Sequence, residues 1–238
     1  MAVSDLMTGM YATVAILAAL RHAEKTGEGQ QVDMALLDTQ VAMLANLGAN
    51  YLVSGNVPGR AGNAHQNIVP YQVFEVAPAS DGSKDHLILA VGNDSQYAKF
   101  CAVAGRPDLA SDPRYAKNRD RVRNRAQLVP LLEAIMSTRS KADWLAALEA
   151  AKVPCGAINN LAEVFADPQV AERGMITQWQ HPVKSDLRLV SSPIKLSATP
   201  VRTDLPPPLL GQHTDEVLRE LLNYPDTQLS DLKLNKVI

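Results

Sequence analysis

Asp5 stands at the head of a long apolar-faced helical stretch, Leu6-Met7-Thr8-Gly9-Met10, running on to Ala15-Ile16-Leu17-Ala18-Ala19-Leu20. The free amides and the macrodipole of a helix N-terminus favour a charged carboxylate there. On local sequence alone an ordinary helix cap is the favoured reading. Chemically, an ionised carboxylate can also attack an electrophilic carbonyl. A second group of candidates lies in Gly62-Asn63-Ala64-His65-Gln66-Asn67-Ile68-Val69-Pro70-Tyr71. His65, Gln66 and Asn67 can donate hydrogen bonds to a developing oxyanion or a substrate carboxylate. A hydrogen-bonded surface turn explains them equally well.

Other reactive residue types have plainer explanations. His213 sits between Gly211-Gln212 and Thr214, an expected N-cap with Glu216 close behind, so capping and packing account for it. Cys155 lies in a Pro-Cys-Gly turn with no electropositive setting, which makes it structural. Arg119, Arg121, Arg123 and Arg125 point several ways around a helix and read as a solvated face plus a helix–helix contact. His22, His86 and His181 have no evident partners.

The chain has 238 residues, enough to bury a core in one or two domains. A formal charge of −2 and a pI near 6.2 give no reason to expect nucleic acid or an anionic membrane as partner. Two cysteines make no disulfide framework, no His/Cys cluster suggests a metal, and a reducing, cytoplasmic compartment follows. The apolar run from Met10 to Leu20 lacks the basic flank of a signal peptide and is too short to span a bilayer. Its small residues, Gly9, Ala12, Ala15, Ala18 and Ala19, predict a buried helix that admits a close neighbour.

These residues must be positioned by a mixed set of elements. A first helix is expected over 6–25, ended by Gly27 and Gly29; a short strand over 31–37; and a second helix over 39–53. Residues 71–76 and 86–91, with Ser80-Asp81-Gly82-Ser83 between them, predict a hairpin. Helices follow at 94–104, 118–137 and 140–151, broken by Val153-Pro154-Cys155-Gly156. Short helices at 161–166 and 169–173, strands near 176–180, 187–190 and 194–196, an extended proline-rich run over 200–208 and helices at 214–223 and 227–236 complete the chain. The pattern is α/β. Residues 1–54 belong to one unit, 55–67 form a linker or loop, and 68–175 make an inserted small α+β domain. Residues 176–204 are linker strands, and 205–238 return to the unit of 1–54. The ends alone carry one short strand, too few for a complete sheet, which points to part of the fold lying on another chain or being missing.

Four motifs in this order resemble the class III CoA-transferases, the family of formyl-CoA transferase and carnitine CoA-transferase. They are the Asp5 helix with its Thr26-Gly27-Glu28-Gly29-Gln30 exit, the Gly62–Tyr71 segment, Val153-Pro154-Cys155-Gly156-Ala157-Ile158-Asn159-Asn160, and Pro206-Pro207-Pro208-Leu209-Leu210-Gly211-Gln212-His213-Thr214. The third and fourth look most like the dicarboxylate branch, such as the succinyl-CoA:glutarate CoA-transferases. The resemblance covers nearly the whole chain but only the C-terminal portion of the family's fold. It implies an incomplete Rossmann-like large domain plus a small α+β domain, with residues 1–54 part of the large CoA-binding domain and 55–67 an active-site loop.

It also implies that Asp5 is the catalytic nucleophile, working through an aspartyl anhydride and an aspartyl-CoA thioester. His65, Gln66 and Asn67 then occupy the family's mobile active-site loop, and Leu36 lines the adenine pocket, although an apolar strand residue is by default core. The expected substrates are an acyl-CoA and a free carboxylic acid, with no permanently bound cofactor. The expected partner is a second copy, as in the family's interlocked dimer, or a complementary N-terminal half. Two alternatives stay open: an α-methylacyl-CoA racemase of the same fold, and a non-catalytic fragment that acts only in oligomerisation.

Overall fold

The computed structural model describes residues 1–60 and 62–238; residue 61, within the expected 55–67 linker, lies outside them. The chain divides into two compact units, Met1–Ile158 and Asn159–Ile238.

The first unit opens with α1, Val3–Thr26. Gly27 ends it in the left-handed region at φ 78°, with its amide returned to the Ala23 carbonyl, a conformation glycine adopts without a Cβ penalty. The sequence predicts a buried helix, yet none of its 24 residues is buried. Leu6, Met10, Val14 and Leu17 are 56–64% exposed. Among the described residues, no surface covers this helix. Residues 31–35 form no strand, because among the described residues no neighbouring strand takes up their amides and carbonyls. Helix begins instead at Leu36, and the expected single helix is two: α2, Leu36–Ala42, and α3, Ala45–Ser54. Ala45, at φ 44°, turns the chain between them.

The predicted hairpin is present. Strands β1, Tyr71–Glu75, and β2, His86–Ala90, pair antiparallel with Val73 opposite Ile88. A third strand, β3, Cys155–Ala157, adds antiparallel to the other edge of β2. Its three residues follow Pro154 and carry too little pattern to be read as a strand, but the Ala90 amide already donates to the Pro154 carbonyl at 2.9 Å. Around this sheet stand α4 (Asp94–Val103), α5 (Pro107–Ser111), α6 (Asn118–Arg123), α7 (Arg125–Met136) and α8 (Lys141–Ala150). The expected helix over 118–137 is interrupted at Asn124, whose side-chain amide donates to the Asp120 and Arg114 carbonyls in competition with the helical ladder. Phe74, Leu87, Leu89, Phe100, Leu132 and Trp144 are at most 1% exposed and anchor one core beneath the sheet. Burying each such side chain contributes about 1.5–3 kcal/mol.

The second unit carries α9, Leu161–Ala166, started by an Asn160–Glu163 capping box, and α10, Pro168–Glu172, capped by Asp167. Strands β4, Ile176–Trp179, and β5, Leu187–Val190, pair antiparallel. The expected strand at 194–196 is not formed. Helices α11, Thr214–Leu222, and α12, Asp226–Leu234, are joined by ion pairs from Lys233 to Asp215 and from Arg219 to Asp226.

Candidate active site

Asp5 occupies the third position of α1 and is the acidic residue of its first turn. It caps nothing. The cap position is Ala2, which has no side-chain acceptor, and the Asp5 carboxylate makes no hydrogen bond or ion pair among the described residues. A negative charge there faces the positive end of the helix dipole and the unpaired amides of the first turn. The neighbouring Ser4 hydroxyl donates to the side-chain carbonyl of Gln40 on α2. One helical turn before Gln40 is Leu36, which starts α2 and is 53% exposed rather than lying in a strand. Asp5 and Leu36 therefore belong to neighbouring elements.

The 62–67 segment is held by its own residues and by five others, Asn50, Tyr71, Val73, Asn118 and Arg125. The His65 amide donates to the Tyr71 carbonyl at 2.8 Å, and the imidazole stacks on the Tyr71 ring at 5.4 Å between centroids. His65 Nδ1 accepts the Asn67 amide at 3.1 Å. In the neutral ring the proton therefore sits on Nε2, which becomes a donor. The Gln66 side-chain oxygen accepts from Asn50 Nδ2 on α3 at 3.0 Å, and Asn63 Oδ1 accepts from the Val73 amide at 3.1 Å. No hydrogen bond joins Asp5 to His65, Gln66 or Asn67 among the described residues.

Sequence reasoning missed the residues that grip this segment. Asn118 Nδ2 donates to the Asn67 carbonyl at 2.9 Å while its Oδ1 accepts from the Val69 amide at 3.1 Å. Arg121 Nε donates to the Val69 carbonyl at 2.6 Å. One Arg125 nitrogen, Nη2, donates to the carbonyls of both His65, at 2.7 Å, and Gln66, at 2.8 Å. Positions 118, 121 and 125 are spaced as one face of a helix. That spacing was the available signal, masked by Arg119 and Arg123. Those two are exposed and pair with Asp120, as a solvated face should.

Arg121 is fully buried. It also donates to the Tyr115 and Ala116 carbonyls and to Asp94 Oδ1 at 3.0 Å, and lies 4.3 Å over the Tyr97 ring. Burial pushes the Asp94 carboxyl up. The hydrogen bonds from Arg121 and the Asn118 amide, with the charges of Arg121 and Lys117, outweigh this and hold it below the usual carboxylate range.

The remaining candidates play no part here. Burial, then the charge of Glu149, pushes the Cys155 thiol up, and burial takes Cys101 to about 11. Neither supplies a thiolate near neutrality. In the second unit His213, not Thr214, is the residue before α11. Its ring makes no capping bond but meets Glu216 at 3.2 Å.

Residues 1–214 match the family described as CoA-transferase family III. A succinate–glutarate CoA-transferase of Agrobacterium fabrum is 46% identical over 92% of this chain and 54% of its own length. The human succinyl-CoA:glutarate CoA-transferase is 38% identical over 97% of this chain and 51% of its own. A crystal structure of a CaiB/BaiF family protein from Brucella suis aligns with a TM-score of 0.74 at 42% identity, covering 93% of this chain and 56% of that one. The chain thus spans about half the length of the curated relatives it matches. The matched region runs from the exposed Asp5 helix, through the gripped 62–67 segment and the core behind it, to the start of α11, and the chain belongs to CoA-transferase family III.

Proposed function

We propose that this chain carries the nucleophile of a CoA-transferase that moves CoA between carboxylic acids, dicarboxylates in particular. The observation that carries the reading is Asp5: a carboxylate in the first turn of a helix, exposed, and engaged in no cap, hydrogen bond or ion pair among the described residues. A structural carboxylate at a helix start is expected to cap it; this one is left available.

An Asp5 oxygen attacks the thioester carbonyl. The C–S bond breaks, giving a mixed anhydride and CoA thiolate. The thiolate then attacks the aspartyl carbonyl of that anhydride, releasing the donor acid as carboxylate and leaving an aspartyl-CoA thioester. The acceptor carboxylate attacks this thioester and expels CoA thiolate. The thiolate takes the acyl group from the second anhydride and restores the Asp5 carboxylate. Each anhydride must be kept from water. In this scheme the 62–67 segment supplies donors: His65 Nε2–H and the carboxamides of Gln66 and Asn67 face the oxyanion or the distal carboxylate of a diacid. Leu36 contributes apolar surface to the CoA side. The names of the relatives, which refer to succinate, glutarate, mesaconate and citramalate, support a diacid and favour transfer over racemisation.

The exposed apolar faces of α1, α2 and α3 support a second element of the reading. A protein surface, from a second copy or a complementary N-terminal half, covers them in the working enzyme. By length and composition α1 could also cross a membrane. Its first-turn carboxylate, its Arg21, His22 and Lys25 near the other end, and the family match running through it favour packing against protein. Two free cysteines fit a cytoplasmic setting.

The test is CoA exchange between succinyl-CoA and a panel of free dicarboxylates, followed by mass spectrometry of new thioesters, with Asp5→Asn in parallel. Transfer in the parent and none in the variant is expected. Equal transfer in both would discard Asp5 as nucleophile. No transfer in either, with a purified N-terminal half of a relative added, would discard the transferase reading for this chain.

A further inference from the structure

The side chains at 118, 121 and 125 together take the carbonyls of residues 65, 66, 67 and 69. Backbone carbonyls of a surface turn are normally satisfied by water. Here they are taken by charged or amide donors from α6 and the start of α7, more than fifty residues away in sequence. Arg121 is buried and multiply bonded, so its first duty is to the core. Arg125 is different. It is half-buried, and among the described residues its hydrogen bonds go to the carbonyls of His65 and Gln66, one on each side of the Gln66 Cα. Hydrogen bonds from a charged donor are stronger than neutral ones, and two of them select one conformation of a short segment.

The consequence falls on the side chains. With both carbonyls turned to Arg125, the peptide between His65 and Gln66 is fixed, and with it the direction in which each side chain leaves the backbone. The imidazole is then stacked on Tyr71 and presents Nε2–H, because Nδ1 is occupied by the Asn67 amide. The Gln66 carboxamide is oriented by Asn50, which takes its oxygen and leaves its NH₂ outward.

We infer that Arg125 is a positioning residue: by holding the His65 and Gln66 carbonyls it sets the donor array that selects the acceptor carboxylate. This rests on the transferase reading for its consequence in catalysis. Its structural half stands without it.

The experiment uses the full chain with ¹⁵N-labelled histidine, at about pH 8.5 where a free imidazole is neutral. His65→Gln identifies the His65 ring signals among the five histidines. In the parent, Nδ1 is expected to be the unprotonated nitrogen of His65 and Nε2 the protonated one. Arg125→Met retains the aliphatic stem and removes both donors. It is expected to shift the His65 nitrogens toward a mixture of tautomers, with the signals of His86, on β2 of the core sheet, unchanged. Arg125→Lys, which keeps the charge, is expected to restore the parent pattern in part, and it serves as the decisive variant should Arg125→Met not fold. In the CoA-exchange assay, Arg125→Met is expected to lose ~10- to 100-fold in kcat/KM for the acceptor acid. The first half-reaction, read as release of succinate from succinyl-CoA in the absence of acceptor, should change less. His65 signals identical in parent, Arg125→Met and Arg125→Lys would overturn the inference whatever the assay shows. A parent that transfers nothing even with the N-terminal half of a relative added, with ring signals that respond to Arg125, would sink the transferase reading and leave the positioning role intact.

Discussion

Asn50 Nδ2 donates to the side-chain oxygen of Gln66 at 3.0 Å, tying α3, a helix with no buried residue, to the segment that carries the candidate substrate donors. Asn50 and Gln66 are both half-buried. Removing this bond frees the Gln66 carboxamide to rotate without leaving a fully buried group unsatisfied. Asn50→Ala is therefore expected to cost about 0.5–1.5 kcal/mol at most in stability, and to raise KM for the acceptor acid more than it lowers kcat. Steady-state kinetics with varied acceptor would check it; an unchanged KM would show that Gln66 does not meet the acceptor.

Asp94 gives the first unit a defined acid limit. Its folded carboxyl titrates below the usual range, whereas the unfolded one titrates near about 3.9. Below that value the unfolded state takes up a proton before the folded state does. The Asp94 contribution is therefore complete above about pH 4 and is lost as the pH falls through the lower folded value. Asp94→Asn is expected to cost about 1–3 kcal/mol at neutral pH by leaving the buried Arg121 guanidinium short of an anionic acceptor. The lower end is favoured, since the Asp94 side chain is 38% exposed and screened by solvent. The variant should also lose less stability than the parent on acidification. Urea melts from pH 3 to 7 test both; parallel curves for parent and variant would remove Asp94 from the acid limb.

Asp5→Asn should leave the fold untouched. Asp5 is exposed and has no partner among the described residues, so its replacement is expected to move stability by no more than about 0.5 kcal/mol, or about 2 °C in melting temperature. Calorimetry beside the exchange assay separates this from unfolding. A large drop in melting temperature would mean that loss of activity in this variant reports structure rather than chemistry.

The apolar faces of the first three helices predict association. The chain is expected to elute above the position of a 25.7 kDa monomer and to bind a hydrophobic dye. Leu17→Glu, at a position already 61% exposed, should move the elution toward monomer with little change in melting temperature. A dye-silent parent at the monomer position would remove the partner surface from the argument.

What the sequence made legible follows where the physical signal lies. The hairpin was readable because Tyr71–Glu75 and His86–Ala90 alternate around a turn-forming Ser-Asp-Gly-Ser, a local pattern with a local cause. The family was readable because four motifs kept their order along the chain, and the match over 1–214 bears it out. The exposure of α1 was not readable. Small and apolar residues announce that a helix wants a neighbour, not that its neighbour is on the same chain. The break at Asn124 was hidden because a side chain that bonds back to the Asp120 carbonyl looks like any polar helix residue. The inward faces of Arg121 and Arg125 were hidden because charge argues for solvent unless partners are known. Their partners are backbone carbonyls, which no residue type advertises.

Each of the two units carries one of the chain's two tryptophans, and their settings differ. Trp144 is fully buried, its indole N–H held by the Met136 carbonyl and its ring under Arg139. Trp179 is half-buried, with its indole N–H on the Thr203 carbonyl. The protein therefore comes with a built-in pair of fluorophores of different emission, blue for the first unit and redder for the second. Replacing either by phenylalanine turns intrinsic fluorescence into a reporter of one unit, so that the order in which the halves of this chain lose structure is open to a spectrometer without any added label.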